Sequence, residues 1–318
     1  MEKTLIKTDI YNRQLATINS AIGIDLLDRF IAFLDASPAT IATYKRNIKQ
    51  FFVYLADNEI QHPQRADILA YKEYLADNNK KATTIQNYII ALRLFFTWTE
   101  TEQLYPNVAA HIKGARLDRE PKRDYLTGKQ IKAVLATTDK NTISGLRDYA
   151  MLVLMTTGGL RTIEVTRAKI EDLRTVGDSP VLYIQGKGKQ DKTRFIKLSD
   201  HAERAIRAYL KTRGQAEPTA PLFTSTGNRN THSPMTTRSI SRIVKQHFIL
   251  AGYDSPQLTA HSLRHTAVTL SLLAGEKLQE VQDFARHANI ATTQIYAHNI
   301  DHAKNTCMNA IDKAIFKN

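Results

Sequence analysis

The chain has 318 residues, 42% of them hydrophobic, and carries 44 Lys and Arg against 31 Asp and Glu, a formal net charge of +13. That length suits two domains with a real core in each. The charge calls for a polyanionic partner, with nucleic acid first and an RNA or a membrane surface compatible with charge alone. No stretch approaches the roughly 20 apolar residues that span a bilayer, and the N-terminus lacks the apolar run of a signal peptide. A single cysteine, Cys307, excludes an internal disulfide. The expectation is therefore a protein of the reducing cytoplasm with no membrane partner.

Residues 1–20 have no strong period and read as a tail. Residues 21–110 read as a helical domain. A first helix places Ile24, Leu27, Ile31 and Leu34 on one face and is broken at Ser37-Pro38. A second, over 40–57, buries a stripe of Ile41, Tyr44, Ile48, Phe51 and Leu55, while Lys45, Arg46 and Lys49 project elsewhere. A third is expected near 67–78. The fourth, over 84–103, follows Thr83-xx-Gln86, a capping-box pattern. The second and fourth helices repeat each other at an offset of 44: TIATYKRNIKQFF is answered by TIQNYIIALRLFF. Two copies make no solenoid. They suit a compact four-helix unit whose basic residues either contact a duplex or are solvated.

Residues 111–124, HIKGARLDREPKRD, lose the apolar period and read as a linker. Its Lys113, Arg116, Arg119, Lys122 and Arg123 either track a phosphate backbone or keep the linker in water. A second domain, 125–318, opens with Thr127-xx-Gln130, again a capping-box pattern. An apolar helix over 144–157 ends at Gly158-Gly159. Val181–Gln185 and Thr193–Leu198 read as strands joined by a turn at Gly186-Lys187-Gly188. Helices are expected over 200–213, 236–250, 260–274 and 277–287, with a loop over 225–235. A short helix then holds Tyr296, and a last one covers 301–316.

The chemistry-bearing residues gather in a few stretches: GLRTIE (159–164), GKG (186–188), HSLRH (261–265), His287 at a helix end, and TTQIYAH (292–298). In that order the motifs resemble those of tyrosine recombinases, the phage-integrase family of DNA strand-exchange enzymes. The resemblance covers nearly the whole chain. It implies a mainly α fold with a small antiparallel β-sheet: a SAM-like helical core-binding domain and an integrase-type catalytic domain closing as a clamp on double-stranded DNA.

A phosphodiester resists attack because its non-bridging oxygens are negative and its leaving group is poor. An enzyme must neutralise those oxygens, supply a nucleophile and protonate the departing oxygen. Arg161 and Arg264 present planar forks suited to the first task. His261 and Arg264, three apart, share a helix face. The resemblance assigns His261 and His287 to the scissile phosphate, with His261 also taking the proton of Tyr296, the nucleophile. It makes Lys187 the general acid and Glu164 a supporting residue that orients an arginine or histidine. Lys189 and Lys192 lie close to Lys187, and the spacing of His261, His265, His298 and His302 raises a zinc site that no cysteine or HExxH pattern supports. No metal and no cofactor are expected. Arg286 stands where the family usually has a glycine, which leaves the placement of His287 open.

The reaction implied is cleavage and rejoining through a 3′-phosphotyrosyl intermediate, without ATP. It would serve integration or excision of a mobile element or resolution of chromosome dimers, with two protomers per site, a tetrameric synapse and accessory proteins as possible partners. The chain looks too short for an added arm-binding domain. Ala303, Cys307, Ala310, Ile311, Ala314 and Ile315 form a stripe on the last helix that packs either on its own domain or, as the resemblance implies, on a neighbouring protomer. A type IB topoisomerase or a non-catalytic DNA-binding protein of the same fold are the alternatives.

Overall fold

The computed structural model describes residues 23–116, 125–186, 191–227, 232–303, 312 and 314–316, and side chains over these except 299 and 301–303. The chain divides into two compact units, residues 1–119 and 120–318.

In the first unit, α1 (Ile24–Phe33), α2 (Pro38–Asp57), α3 (Arg65–Asp77) and α4 (Ala82–Thr101) enclose an aromatic core. Ser37-Pro38 both breaks the chain and starts α2. The Ser37 hydroxyl accepts the Thr40 amide at 3.3 Å and Pro38 occupies the first turn, where its missing N–H costs nothing. On α1 the buried residues are Leu26, Leu27 and Phe30, with Ile24, Ile31 and Leu34 only partly buried at the margin. The stripe expected from the sequence is therefore rotated towards Phe30, whose ring meets Phe95 edge-on at 5.4 Å. The Thr83/Gln86 capping box does not form. The fourth helix begins at Ala82 behind Lys81, so Thr83 already lies inside the first turn.

The internal repeat has a packing consequence. Phe51 and Phe52 correspond to Phe95 and Phe96, and the contacts are reciprocal: Phe51 meets Phe96 at 6.2 Å and 79°, and Phe52 meets Phe95 at 5.7 Å and 70°. Two like helices that contact each other through equivalent residues reproduce inside one chain the logic of a two-fold interface. Edge-to-face pairs of this kind add about 0.5–1.5 kcal/mol each beyond burial. Within the stretch read as linker, Ile112 is buried against this core.

The second unit is built on α6 (Ile143–Thr157), whose residues Ala150 to Met155 are all buried. A helix apolar on every side must be surrounded. Against it pack α5 (Gly128–Ala136), α7 (Thr162–Arg167), α8 (Asp200–Arg213) and α10 (Ala260–Leu273), while α9 (Thr237–Leu250) packs on α5, α7 and α10, and α11 (Leu278–Ala285) and α12 (Ala291–Ala303) pack on α10 and on each other. Thr127 and Gln130 form the expected capping box on α5: Thr127 N–H donates to Gln130 Oε1 at 2.8 Å and Gln130 N–H to Thr127 Oγ1 at 3.3 Å. The sheet has three strands rather than two. β1 (Leu173–Val176), β2 (Ser179–Ile184) and β3 (Arg194–Lys197) pair antiparallel in that order. β1 went unseen because it is a four-residue edge strand with three exposed residues and little apolar alternation. The short helix expected to hold Tyr296 and the last helix are not separate at residue 301, since α12 runs unbroken to Ala303. Of the C-terminal stripe, residues 304–311 fall outside the described residues. No helix among the described residues is long and apolar enough to cross a membrane.

Candidate active site

The site assembles in the second unit around the turn between α6 and α7. Gly159 has φ +56°, a backbone that L side chains rarely adopt, and a Cβ there would sit 3.2 Å from the Phe284 ring. Leaving that turn, Arg161 is the N-cap of α7 and Glu164 its third residue. Glu164 is 1% exposed. Its Oε2 accepts the Arg161 backbone N–H at 2.8 Å and its Oε1 accepts Arg161 Nη1 at 3.1 Å. The carboxylate therefore closes the first turn of α7 with one oxygen and holds the Arg161 guanidinium with the other.

Arg264, on α10, is 1% exposed. Nη1 donates to the Gly159 carbonyl at 2.7 Å and Nη2 to the Ala285 carbonyl, so one planar fork ties the α6–α7 turn to the end of α11. Burial, and then the charges of Arg161 and Arg286, lower its pKa to about 9. It stays protonated at neutral pH.

α11 ends in a Schellman turn. Arg286 has φ +54°, its N–H reaches the Asp283 carbonyl at 3.0 Å, and the His287 N–H reaches the Gln282 carbonyl at 3.1 Å. His287 is thus placed by the turn beyond the helix, not by the helix itself. A left-handed backbone costs a non-glycine residue about 1–2 kcal/mol. The Arg286 side chain offsets this by donating from Nη1 to the carbonyls of Phe284 (2.7 Å) and Gly158 (3.4 Å), and from Nη2 to the Gly159 carbonyl (2.9 Å) and Glu164 Oε2 (3.1 Å). The substitution for glycine keeps the turn.

His287 Nδ1 lies 2.9 Å from the hydroxyl of Thr293, a fully buried residue of α12. Burial, reinforced by Arg264, Arg161, Arg286 and His265, lowers the His287 pKa to about 4. The imidazole is neutral at pH 7. Between pH 6.5 and 4 the unfolded chain accepts a proton that the folded site refuses. The stability contribution of a neutral His287 is therefore full above pH 6.5 and is lost as pH falls towards 4. Thermal melting at pH 7 and pH 5 is expected to show a larger drop for the wild type than for His287→Asn, and equal drops would contradict the burial.

Tyr296 packs its ring on Val268, Val281 and Ala285. It stacks on His287 with centroids 6.2 Å apart and planes at 16°, and meets His265 at 4.9 Å. The expected set therefore converges: Arg161, Glu164, Arg264, His287 and Tyr296 lie in one cluster. The His261 ring lies 4.9 Å from that of His265. Sequence reasoning missed His265 as a neighbour of Tyr296, although its place one turn after His261 was the available signal. It also missed Arg286 and Thr293, which only the fold brings to His287. Among the described residues no three His, Cys, Asp or Glu side chains are grouped to hold a metal ion.

Lys187 lies outside the described residues, and the residues on either side of that stretch are held by side chains. Arg167 Nη1 donates to the Gly186 carbonyl at 3.2 Å, and Lys192 Nζ pairs with the buried Asp172 and with the Arg167 carbonyl at 3.1 Å. Lys192 is thereby committed to a structural ion pair. In the first unit, Lys45, Arg46 and Lys49 line one surface groove of about 400 Å³ on α2 with Ala42, Gln50 and Val53, and Lys45 also pairs with Asp28 at 2.9 Å. Lys113 and Arg116 are exposed, while Arg119, Lys122 and Arg123 lie outside the described residues.

Comparison with known proteins gives the family of the chain. Residues 124–302 match the phage integrase family and residues 27–103 its N-terminal SAM-like domain. Tyrosine recombinase XerC of Pelobacter propionicus is 32% identical over 273 residues, 82% of this chain and 85% of that protein. Tyrosine recombinase XerD of Staphylococcus saprophyticus is 28% identical over 284 residues, 86% of this chain and 93% of that one. In fold, the chain is similar to the XerH site-specific recombinase in its post-cleavage complex with difH (TM-score 0.68, 22% identity, 85% of this chain and 80% of that one). It is also similar to a lambda integrase fragment bound to a COC′ core site (TM-score 0.66, 18% identity, 84% and 96% of the two chains). The chain belongs to the phage integrase family of tyrosine recombinases, enzymes that break and rejoin DNA in site-specific recombination.

Proposed function

We propose that Tyr296 attacks a scissile phosphate in double-stranded DNA, forming a 3′-phosphotyrosyl link and releasing a 5′-hydroxyl. One observation carries this reading: three guanidinium groups, Arg161, Arg264 and Arg286, surround a single carboxylate, Glu164, beside the tyrosine. A buried excess of positive charge is costly until an anion arrives, and a phosphodiester brings one negative charge with oxygens spaced for planar forks. Arg161 and Arg264 neutralise the non-bridging oxygens. Neutral His287 donates a hydrogen bond through the ring nitrogen that Thr293 does not engage. The His261/His265 pair takes the tyrosine's proton, and Lys187 protonates the leaving 5′-oxygen. The phosphotyrosyl ester conserves the bond energy, so rejoining needs neither ATP nor a metal. Lys45, Arg46 and Lys49 contact the backbone from the first domain, with Lys113, Arg116, Arg119, Lys122 and Arg123 adding charge.

On a nicked suicide duplex carrying the core site, which is sought in DNA flanking the gene, the protein is expected to form a detergent-resistant adduct that persists in EDTA. No adduct would leave a DNA-binding protein. Relaxation of supercoils without two-site recombination would leave a topoisomerase.

The same reading includes a dimer on each site and a tetrameric synapse in the cytoplasm, joined through the C-terminal segment, with accessory proteins as further partners. Ile315 and Phe316 are 63% and 76% exposed, which suits docking on a second copy. Truncation after Ala303 keeps α12 whole. It is expected to preserve the circular dichroism spectrum and single-site binding while abolishing cooperative filling of paired sites in gel-shift titration. Unchanged cooperativity would place the segment on its own domain.

A further inference from the structure

We propose that Arg286 is a positioning residue for DNA cleavage, holding the His287 turn and, through Glu164, the Arg161 side chain in one rigid arrangement. The inference rests on the reading of Tyr296, Arg161 and His287 given above. The Arg286 side chain acts on Arg161 and Arg264 through partners it shares with them. Its guanidinium reaches the carbonyls of Gly158, Gly159 and Phe284 and the Oε2 of Glu164. The other oxygen of Glu164 holds Arg161, and the Gly159 carbonyl is shared with Arg264. In the opposite direction, the Arg286 carbonyl lies 3.5 Å from Arg161 Nη2. One residue thus ties both phosphate arginines to the turn that carries His287.

The backbone makes a clean separation of roles possible. Because Arg286 sits at φ +54°, glycine suits the position better than arginine does. Arg286→Gly therefore relieves the backbone while removing every side-chain bond. If arginine served only to fill space or stabilise the fold, this variant would cleave like the wild type.

The test uses the full chain and compares wild type, Arg286→Gly, Arg286→Lys, Glu164→Gln and the double variant Arg286→Gly/Glu164→Gln. Single-turnover cleavage of the suicide duplex, core-site affinity and thermal melting are measured for each. Arg286→Gly is expected to melt within a few degrees of wild type and to bind DNA within about twofold, but to cleave at least tenfold more slowly. Arg286→Lys, which restores a charge for Glu164 but not the fork, is expected to recover part of the rate. Glu164→Gln should slow the Arg286→Gly background less than it slows wild type, because the two act as one unit. Wild-type cleavage by Arg286→Gly overturns the proposal. So does failure of both Arg286→Gly and Arg286→Lys to fold, or full additivity with Glu164→Gln. Absence of an adduct with the wild type would instead overturn the underlying reading of Tyr296, and the inference with it.

Discussion

Tyr296→Phe is expected to bind core-site DNA with unchanged affinity and to form no covalent adduct, the largest single effect of any substitution here. The substitution removes one oxygen. Phenylalanine keeps the ring that packs on Val268, Val281 and Ala285 and that lies against His265 and His287, so the local fold and the positive cage both persist. What is lost is the only atom proposed to bond to phosphorus. Removing a nucleophile in this way costs on the order of 10⁶ in rate in well-studied covalent catalysts, which places the variant below detection in a gel assay. Binding measured by gel shift supplies the control. An adduct formed by Tyr296→Phe would mean that another residue attacks.

The arginine variants come next, and the structure separates them. Each is proposed to neutralise a non-bridging oxygen, and loss of one such preorganised donor typically slows a reaction by roughly 10²–10³. Arg161→Ala is expected to show that loss with little change in melting temperature. The side chain is 29% exposed, and without it Glu164 still has Arg286 as a partner at 3.1 Å. Arg264→Ala is expected to lose both rate and stability. It is fully buried, and its removal opens a cavity and strips the Ala285 carbonyl of its guanidinium donor, while the Gly159 carbonyl keeps Arg286. A buried acceptor left unpaired costs about 1–3 kcal/mol by itself. Arg264→Lys should rescue neither property fully, since one ammonium cannot replace a fork that spans two carbonyls. Near-normal cleavage by Arg161→Ala would contradict the phosphate cage, and an unchanged melting temperature in Arg264→Ala would contradict the buried link between α6 and α11.

The sequence by itself determined the helical character, the two-part organisation and most residues of the cluster around Tyr296. Those features rest on local order: a period of 3.6, capping residues such as Thr127 and Gln130, and motifs whose residue types match the demands of a phosphodiester. It also carried the repeat of α2 and α4, because like helices need like apolar stripes. The tertiary structure decided what depends on residues distant in the chain. The rotation of α1 towards Phe30 follows from the Phe95 ring it meets, and the extra edge strand β1 exists only because β2 offers it hydrogen bonds. A continuous α12 follows from the absence of any breaker between Tyr296 and Ala303, since the end of a motif is not the end of a helix. Arg286 shows the division most clearly. In the sequence it is only a departure from glycine at a turn. Its strained backbone becomes tolerable because Glu164, Gly158 and Gly159, more than 120 residues earlier, supply acceptors for its guanidinium. Periodicity and spacing are properties of neighbours along the chain, whereas the balance of a buried charge is settled by whatever the fold brings beside it.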